Sequence, residues 1–316
     1  MEATARPRWK VLLAFAIIYL VWGSTFLAIR IGVHEVPPFL LAAMRFVVAG
    51  LVLCGWMLAK GERSPSGRQW LSVSILAVLI FVVDYGLVFW AEQRVPSGVT
   101  AVMMATIPVF MALSEISILR TQKLTVGLAL ALLIGIAGVA VLMSRSLMLG
   151  GAPIDGTGAV ALIVASIGWS VASALARKLP LPSSKVMSSG VQMLTGGVML
   201  AVTAAALGEI RRFRPAAVSR GAWLSLLYLI VAGSIVAFTA YVWLIHHESP
   251  TRVGTYAYVN PVVAVVLGYF LGGEELGLRT IMGTLCVLVS VVVITTSQAR
   301  KPVTRMAESK YQAASD

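Results

Sequence analysis

Two ionisable residues stand inside stretches that are otherwise apolar. Arg45 lies seven residues from one end of the stretch 38–59, and Asp84 lies six residues from the same-side end of 70–90. An isolated charge at membrane depth costs roughly several kcal/mol, so such residues pair or face water. Their matched depth predicts an Arg45–Asp84 ion pair. Asp84 is suited to carry a proton or to help bind a substrate, with Arg45 as counter-ion or as anchor for a carboxylate; a static bridge fixing two helices is the alternative. Two prolines have a similar position. Pro108 is ten residues into 98–119 and Pro261 nine into 252–271, about 15 Å deep at about 1.5 Å per residue. Each removes a backbone donor, freeing the carbonyls of Met104 and Ala257 and kinking its helix. Corresponding interrupted helices are where transporters place their substrate, although a kink needed only for packing would leave the same trace.

Around these prolines the residue types differ between the two stretches. Met103, Ala105 and Ile107 precede Pro108, whereas Tyr256, Tyr258 and Asn260 precede Pro261. One wall of such a site is apolar and the other polar and aromatic, which suits an amphipathic or aromatic small molecule. Trp22 and Trp169 also fall near mid-depth, away from the interface that tryptophan favours. They either border a wet cavity or pack in the core. Arg30 and Arg177 end their stretches and read as snorkelling side chains, and Glu115 as an interfacial residue near Arg120 and Lys123. His246 and His247 point to different sides of a helix, so no metal site is expected, and nothing calls for a cofactor. The chain has no H-E-x-x-H pair, no G-x-S-x-G elbow and no phosphate-cradling Gly-rich loop with lysine, which argues against an enzyme. It has no filter-like loop or ring-forming charged motif of a channel.

The elements that must hold these residues are membrane helices. The 316 residues are 59% hydrophobic and 12% charged, too little polar surface for a soluble globule of that length. Ten stretches of about 20 apolar residues lie near 11–29, 38–59, 70–90, 98–119, 124–143, 157–177, 185–206, 221–245, 252–271 and 278–297. Backbone polar groups in hydrocarbon need internal partners, and continuous runs of this length favour helices over a barrel. The net charge of +12 is spread singly over the ends of the stretches rather than gathered on one face, so nucleic acid is not expected as a partner. With the N-terminus inside, 16 Lys and Arg fall on the cytoplasmic side and eight opposite, which predicts both termini cytoplasmic in a plasma (bacterial inner) membrane. Arg211, Arg212, Arg214 and Arg220 run against that bias. Cys54 and Cys286 lie within the stretches and read as free thiols.

The chain also repeats itself. Trp22 and Arg30 recur as Trp169 and Arg177 at an offset of 147, and Trp70, Trp90 and Pro108 as Trp223, Trp243 and Pro261 at 153. Five stretches per copy is an odd number, so the second copy is expected to cross the membrane in the opposite orientation, an arrangement common in secondary transporters. Arg45 and Asp84 map to Gln192 and Ala237, so the second copy lacks both charges. The expected organisation is a cytoplasmic segment 1–10, a first five-helix repeat 11–143, a linker 144–156, a second repeat 157–297 and a polar tail 298–316.

Trp22-Gly-Ser-Thr-Phe26, Arg45-Phe46, Pro96 through Pro108-Val-Phe110, and Pro250 through Pro261-Val-Val263 resemble the EamA-type family of the drug/metabolite transporter superfamily. The likeness covers roughly 11–143 and 157–297. It implies an all-α integral membrane carrier of ten transmembrane helices, two five-helix units around a central cavity, exporting amino acids, other metabolites or toxic compounds. The expected function is therefore secondary transport of a small molecule by alternating access, with protons as a candidate coupling ion and membrane lipid as the surround. A membrane enzyme acting on lipid and a passive channel are the alternatives.

Overall fold

Every regular element among the described residues is a helix. The computed structural model describes residues 8–120, 125–143, 155–247, 253, 255–275 and 277–299. The expected linker 144–156 and tail 298–316 fall mostly outside them. Helix α1 spans Arg8–Val33 and α2 Pro38–Ala59. A third long helix runs through α3 (Gly67–Ala77), a π-helical turn Val78–Tyr85 and α4 (Gly86–Ala91). The fourth comprises α5 (Ser97–Met104), α6 (Ile107–Ser114) and a π segment Glu115–Leu119. The first half ends with α7, Val126–Met143. The second half contains α8 (Gly156–Ala176), α9 (Lys185–Ala206) and a short α10 (Glu209–Arg212). Then come α11 (Arg220–Tyr228), a π turn Leu229–Val236, α12 (Ala237–His247), α13 (Tyr256–Phe270) and α14 (Leu278–Ala299).

Seven of these helices are long and apolar enough to cross a membrane: Arg8–Val33, Pro38–Ala59, Gly67–Ala91, Ser97–Leu119, Gly156–Ala176, Lys185–Ala206 and Arg220–Leu244. Shorter apolar segments, Val126–Gly138, Val259–Phe270 and Thr280–Val293, occupy the other three expected positions. Large apolar side chains such as Leu12, Leu20, Leu133, Val202, Leu224 and Phe270 are exposed on the outside, where lipid rather than water is their natural surround.

Local sequence explains the ends. Asp155 caps α8 by accepting from Thr157 N and Gly158 N, and the Ser184 and Ser219 hydroxyls cap α9 and α11. These bonds satisfy donors that the helix cannot. Just past α2 and α9, Gly61 (φ 84°) and Gly208 (φ 72°) take the left-handed conformation that glycine adopts without penalty. They are 147 positions apart, the offset of Trp22 and Trp169.

The main helix pairs are α2 with α9, α7 with α14, α1 with α13 and with the helix running through α11 and α12, and α8 with α6 and with the helix running through Val78–Tyr85 and α4. Exchanging the two halves maps the first two pairs onto themselves and the pairings of α1 onto those of α8. Small residues let α2 and α9 approach closely: a Cβ placed on Gly50 would lie 2.5 Å from Leu194 N, and one on Gly197 2.6 Å from Val47 N.

Candidate functional site

The middle of the molecule is aromatic, and both halves contribute. The Trp22 ring stands 5.2 Å from Tyr241 and 5.2 Å, edge-on, from Tyr256, with Tyr241 and Tyr256 6.0 Å apart. Trp169 meets Tyr85 edge-on at 6.2 Å, and Arg45 joins the two groups, its guanidinium 5.5 Å from the Tyr85 ring and its Nε on Ser234, the neighbour of the Gly233 that Trp22 bonds. Trp22 and Trp169, expected at mid-depth, therefore sit in one aromatic assembly. Trp22 Nε1 donates to Gly233 O at 3.1 Å, which satisfies its one polar atom at that depth. Gly233 belongs to the π turn Leu229–Val236 between α11 and α12, where the regular hydrogen-bond ladder is altered. Its counterpart Val78–Tyr85 carries Asp84 and Tyr85, so each half bears a π turn at a corresponding place.

Arg45 closes one side of this assembly. Its Nε donates to Ser234 Oγ at 2.9 Å, and the guanidinium lies over Phe46 (4.8 Å), Tyr85 (5.5 Å) and Phe89 (6.0 Å). The expected ion pair with Asp84 does not form. Arg45 Nη1 and Asp84 Oδ1 are both buried without a hydrogen-bond partner. A matched position along two helices says nothing about direction around them. Tyr85 is the residue of this turn that faces Arg45, and successive residues on a helix point different ways.

The prolines behave unlike each other. At Pro108 the helix is broken by a turn at Ala105 and Thr106. The Ile107 carbonyl accepts from Ser170 Oγ at 3.2 Å, and Met104, buried against α8, receives the Ser166 hydroxyl on its sulfur at 3.6 Å. At Pro261 helix α13 continues without interruption, and the proline is buried. Because Pro261 is only the sixth residue of α13, few earlier turns are available for it to disturb. Asn260 is buried, and with its NH2 turned toward the carbonyls of Tyr256 and Tyr19 (3.2 Å each) it ties α13 to α1. A Cβ on Gly23 would fall 3.1 Å from Asn260 O, so the two helices touch there. The Tyr258 side chain lies outside the described residues.

Carboxylates the sequence reading passed over tie the halves together at the face bearing Arg30. Helices α2 and α5 are preceded by Pro37 and Pro96, which offer no side-chain acceptor, so their first N–H groups need a partner from elsewhere. Glu274, after α13, accepts from Ser97 N (2.6 Å), Ser97 Oγ (2.6 Å) and Gly98 N (2.9 Å). Glu209 accepts from Leu40 N at 2.8 Å. In the other direction Glu35 accepts from Ser219 N and Ser219 Oγ at the start of α11. Arg30 donates to the carbonyls of Glu92 (3.0 Å) and Val95 (2.7 Å) and lies 3.5 Å from Glu274. It is thus an anchor rather than a side chain reaching for water. The Ser219 bonds hold the Glu35 carboxyl below its ordinary range, whereas burial raises Glu209 against its bonds to Leu40 and Phe39. Residues 33–39, Trp90, Gln93 and Arg94 of the first half and Leu207, Glu209 and Arg212 of the second border a cleft of about 500 Å³ at this face.

At the face bearing Arg177 the described residues show fewer ties between the halves. Arg177 lies 3.1 Å from Glu115, Lys178 Nζ donates to Ile118 O at 2.8 Å, and Gln69 Nε2 donates to Leu181 O at 3.2 Å. The Arg177 side chain is 55% exposed, against 22% for Arg30. The arginines at 30 and 177 correspond, and each meets a carboxylate from the opposite half. Gly268 is the counterpart of Glu115, and a Cβ on Gly268 would lie 2.4 Å from Glu274 Oε2. Glu274 therefore fills from the following loop the space that a side chain at 268 would occupy.

The fold and its residues have known relatives. The EamA-like transporter family matches the chain twice, over residues 9–144 and 156–296. The uncharacterized inner membrane transporter YedA of Escherichia coli K12 is 37% identical over 281 residues, 88% of each chain. An uncharacterized transporter of Archaeoglobus fulgidus is 26% identical over 92% of this chain and 98% of its own. A solved crystal structure with 22% identity superposes with a TM-score of 0.61, covering 93% of this chain and 99% of that one. Membrane-length helices along most of the chain and a family match across both halves place it as a multi-pass integral membrane transporter, and it belongs to the EamA-like transporter family.

Proposed function

We propose that the protein is a secondary carrier in which two inverted five-helix repeats alternate access to the central aromatic site, with both termini cytoplasmic and the Arg30 face outward. The observation that carries this reading is the pairing of ties at opposite ends: Arg30 with Glu274, and Arg177 with Glu115, each joining one half to the other. In a carrier of this type, one end must come apart while the other holds. Among the described residues the Arg30 end carries more bonds between the halves, which supports reading this conformation as closed to the outside. The two matches to one family support the duplication, and the exchange of helix pairs supports a two-fold relation between the halves.

The substrate we propose is a small molecule with an apolar or aromatic body and a carboxylate, an amino acid being the simplest, moved outward. Trp22, Trp169, Tyr241 and Tyr256 offer ring surfaces. Arg45 has an unused donor in the same region, and a carboxylate is its natural partner. Met104, Pro108, Tyr258, Asn260 and Pro261 frame the helices around this site. The test is counterflow in proteoliposomes with a panel of amino acids and hydrophobic cations, with and without a pH gradient. Saturable uptake stimulated by substrate on the opposite side selects a carrier over a channel or an enzyme. Trp22→Phe and Arg45→Gln should each raise the half-saturating concentration of a transported carboxylate about tenfold or more, as loss of a charged hydrogen bond or an aromatic face implies. Transport unaltered in both variants moves the site elsewhere.

A further inference from the structure

Glu92 is the residue whose chemistry the site so far leaves unused. It caps the C-terminal end of α4, is fully buried, and neither carboxylate oxygen has a hydrogen-bond partner. Its surroundings are nevertheless charged. Arg30 on α1 donates to its backbone carbonyl, Glu274 beyond α13 lies in electrostatic range, and so does Arg45 on α2. Burial raises the carboxyl well above the ordinary range, and Glu274 adds to that, while Arg30 and Arg45 pull the other way. An ionised carboxylate with both oxygens unpaired is not tolerated in an enclosed site, and the neutral acid is. Asp84 is equally buried but has no charged group of the tie beside it, so its protonation would not bear on how the halves are joined.

We propose that Glu92 is a proton-binding site that controls the Arg30 face, protonated while that face is closed and ionised when it opens. In the closed state neutral Glu92 leaves Arg30 free to hold Glu274. Release of the proton to water at this face leaves a carboxylate that must either take Arg30 from Glu274 or reach solvent, and either movement loosens the tie across the halves. Rebinding the proton restores it. Since the carboxyl is neutral in the closed form, closure is favoured at low pH and lost as pH rises through the value of the buried group. The proposal rests on the reading that this face opens during transport.

The test uses the full chain in lipid nanodiscs. Infrared spectra should show protonated carboxylic acid absorption in the wild type at neutral pH, of which one component is lost in Glu92→Gln, is kept in Glu92→Asp, is separate from any component that Asp84→Asn removes, and is unaffected by Glu62→Gln at an exposed loop position. Spin labels at the exposed positions Ile31 and Leu271 read the separation of the two halves at this face. The short-distance population should fall about tenfold or more as pH is raised in the wild type and stay nearly constant in Glu92→Gln. The proposal is overturned if Glu92→Gln removes no acid band, if the variant and wild type shift alike with pH, or if the band is present but the distance ignores pH. Absence of counterflow with both spectroscopic results intact would count against the carrier reading alone.

Discussion

Replacing Glu274 with glutamine should release the Arg30 face while leaving the fold in place. The carboxylate accepts from Ser97 N, Ser97 Oγ and Gly98 N and lies 3.5 Å from Arg30. The glutamine oxygen can still take the Ser97 donors, but its NH2 then faces the Gly98 N–H or the guanidinium. The Gly98 bond to a charged acceptor is worth about 1.5–3 kcal/mol, the partly exposed ion pair about 0–1 kcal/mol, and the favourable charge at the start of α5 a further 0.3–1 kcal/mol or so. The sum is about 2–5 kcal/mol, or a shift of roughly 30- to 4000-fold in the closed-to-open ratio at about 1.4 kcal/mol per decade. Double electron–electron resonance between labels at Ile31 and Leu271 reads this ratio directly. A distance distribution within threefold of the wild type, in protein that is folded and monodisperse, would refute the role given to Glu274.

The opposite face should be less sensitive. Arg177→Gln removes an ion pair with a mostly exposed arginine, so labels across that face should report a change of no more than about 1 kcal/mol; a change matching that of Glu274→Gln contradicts the asymmetry. On α2, Gly50→Ala puts a Cβ 2.5 Å from the Leu194 backbone and should cost about 1–3 kcal/mol by overpacking. Gly55→Ala on the same helix meets nothing within 4 Å and should be neutral or stabilising by about 0.5–1 kcal/mol, and a thermal-unfolding comparison that ranks them equally rejects the close α2–α9 contact. Finally, Glu35 is held below its ordinary range by Ser219, so its contribution to stability is present above the ordinary carboxylate value and lost as pH falls through the lowered one. The melting-temperature gap between wild type and Glu35→Gln should therefore close in acid, and a gap independent of pH would show that the bond contributes nothing.

Much of this protein was legible one residue at a time. The helical class and the approximate position of the helices follow from apolar run length, because hydrocarbon thickness and backbone hydrogen bonding constrain a membrane chain along one dimension. Counting residues gives depth. Direction around each helix and choice of partner are set in the other two dimensions, where the π turn at 78–85 presents Tyr85 rather than Asp84 to Arg45, and where Pro108 breaks its helix while Pro261 is absorbed in one. The carboxylates at 35, 92, 209 and 274 lie in short connections that look like ordinary polar breaks. Only the folded arrangement brings three of them to helix starts or an arginine of the other half, and leaves Glu92 enclosed beside that arginine with nothing to bond.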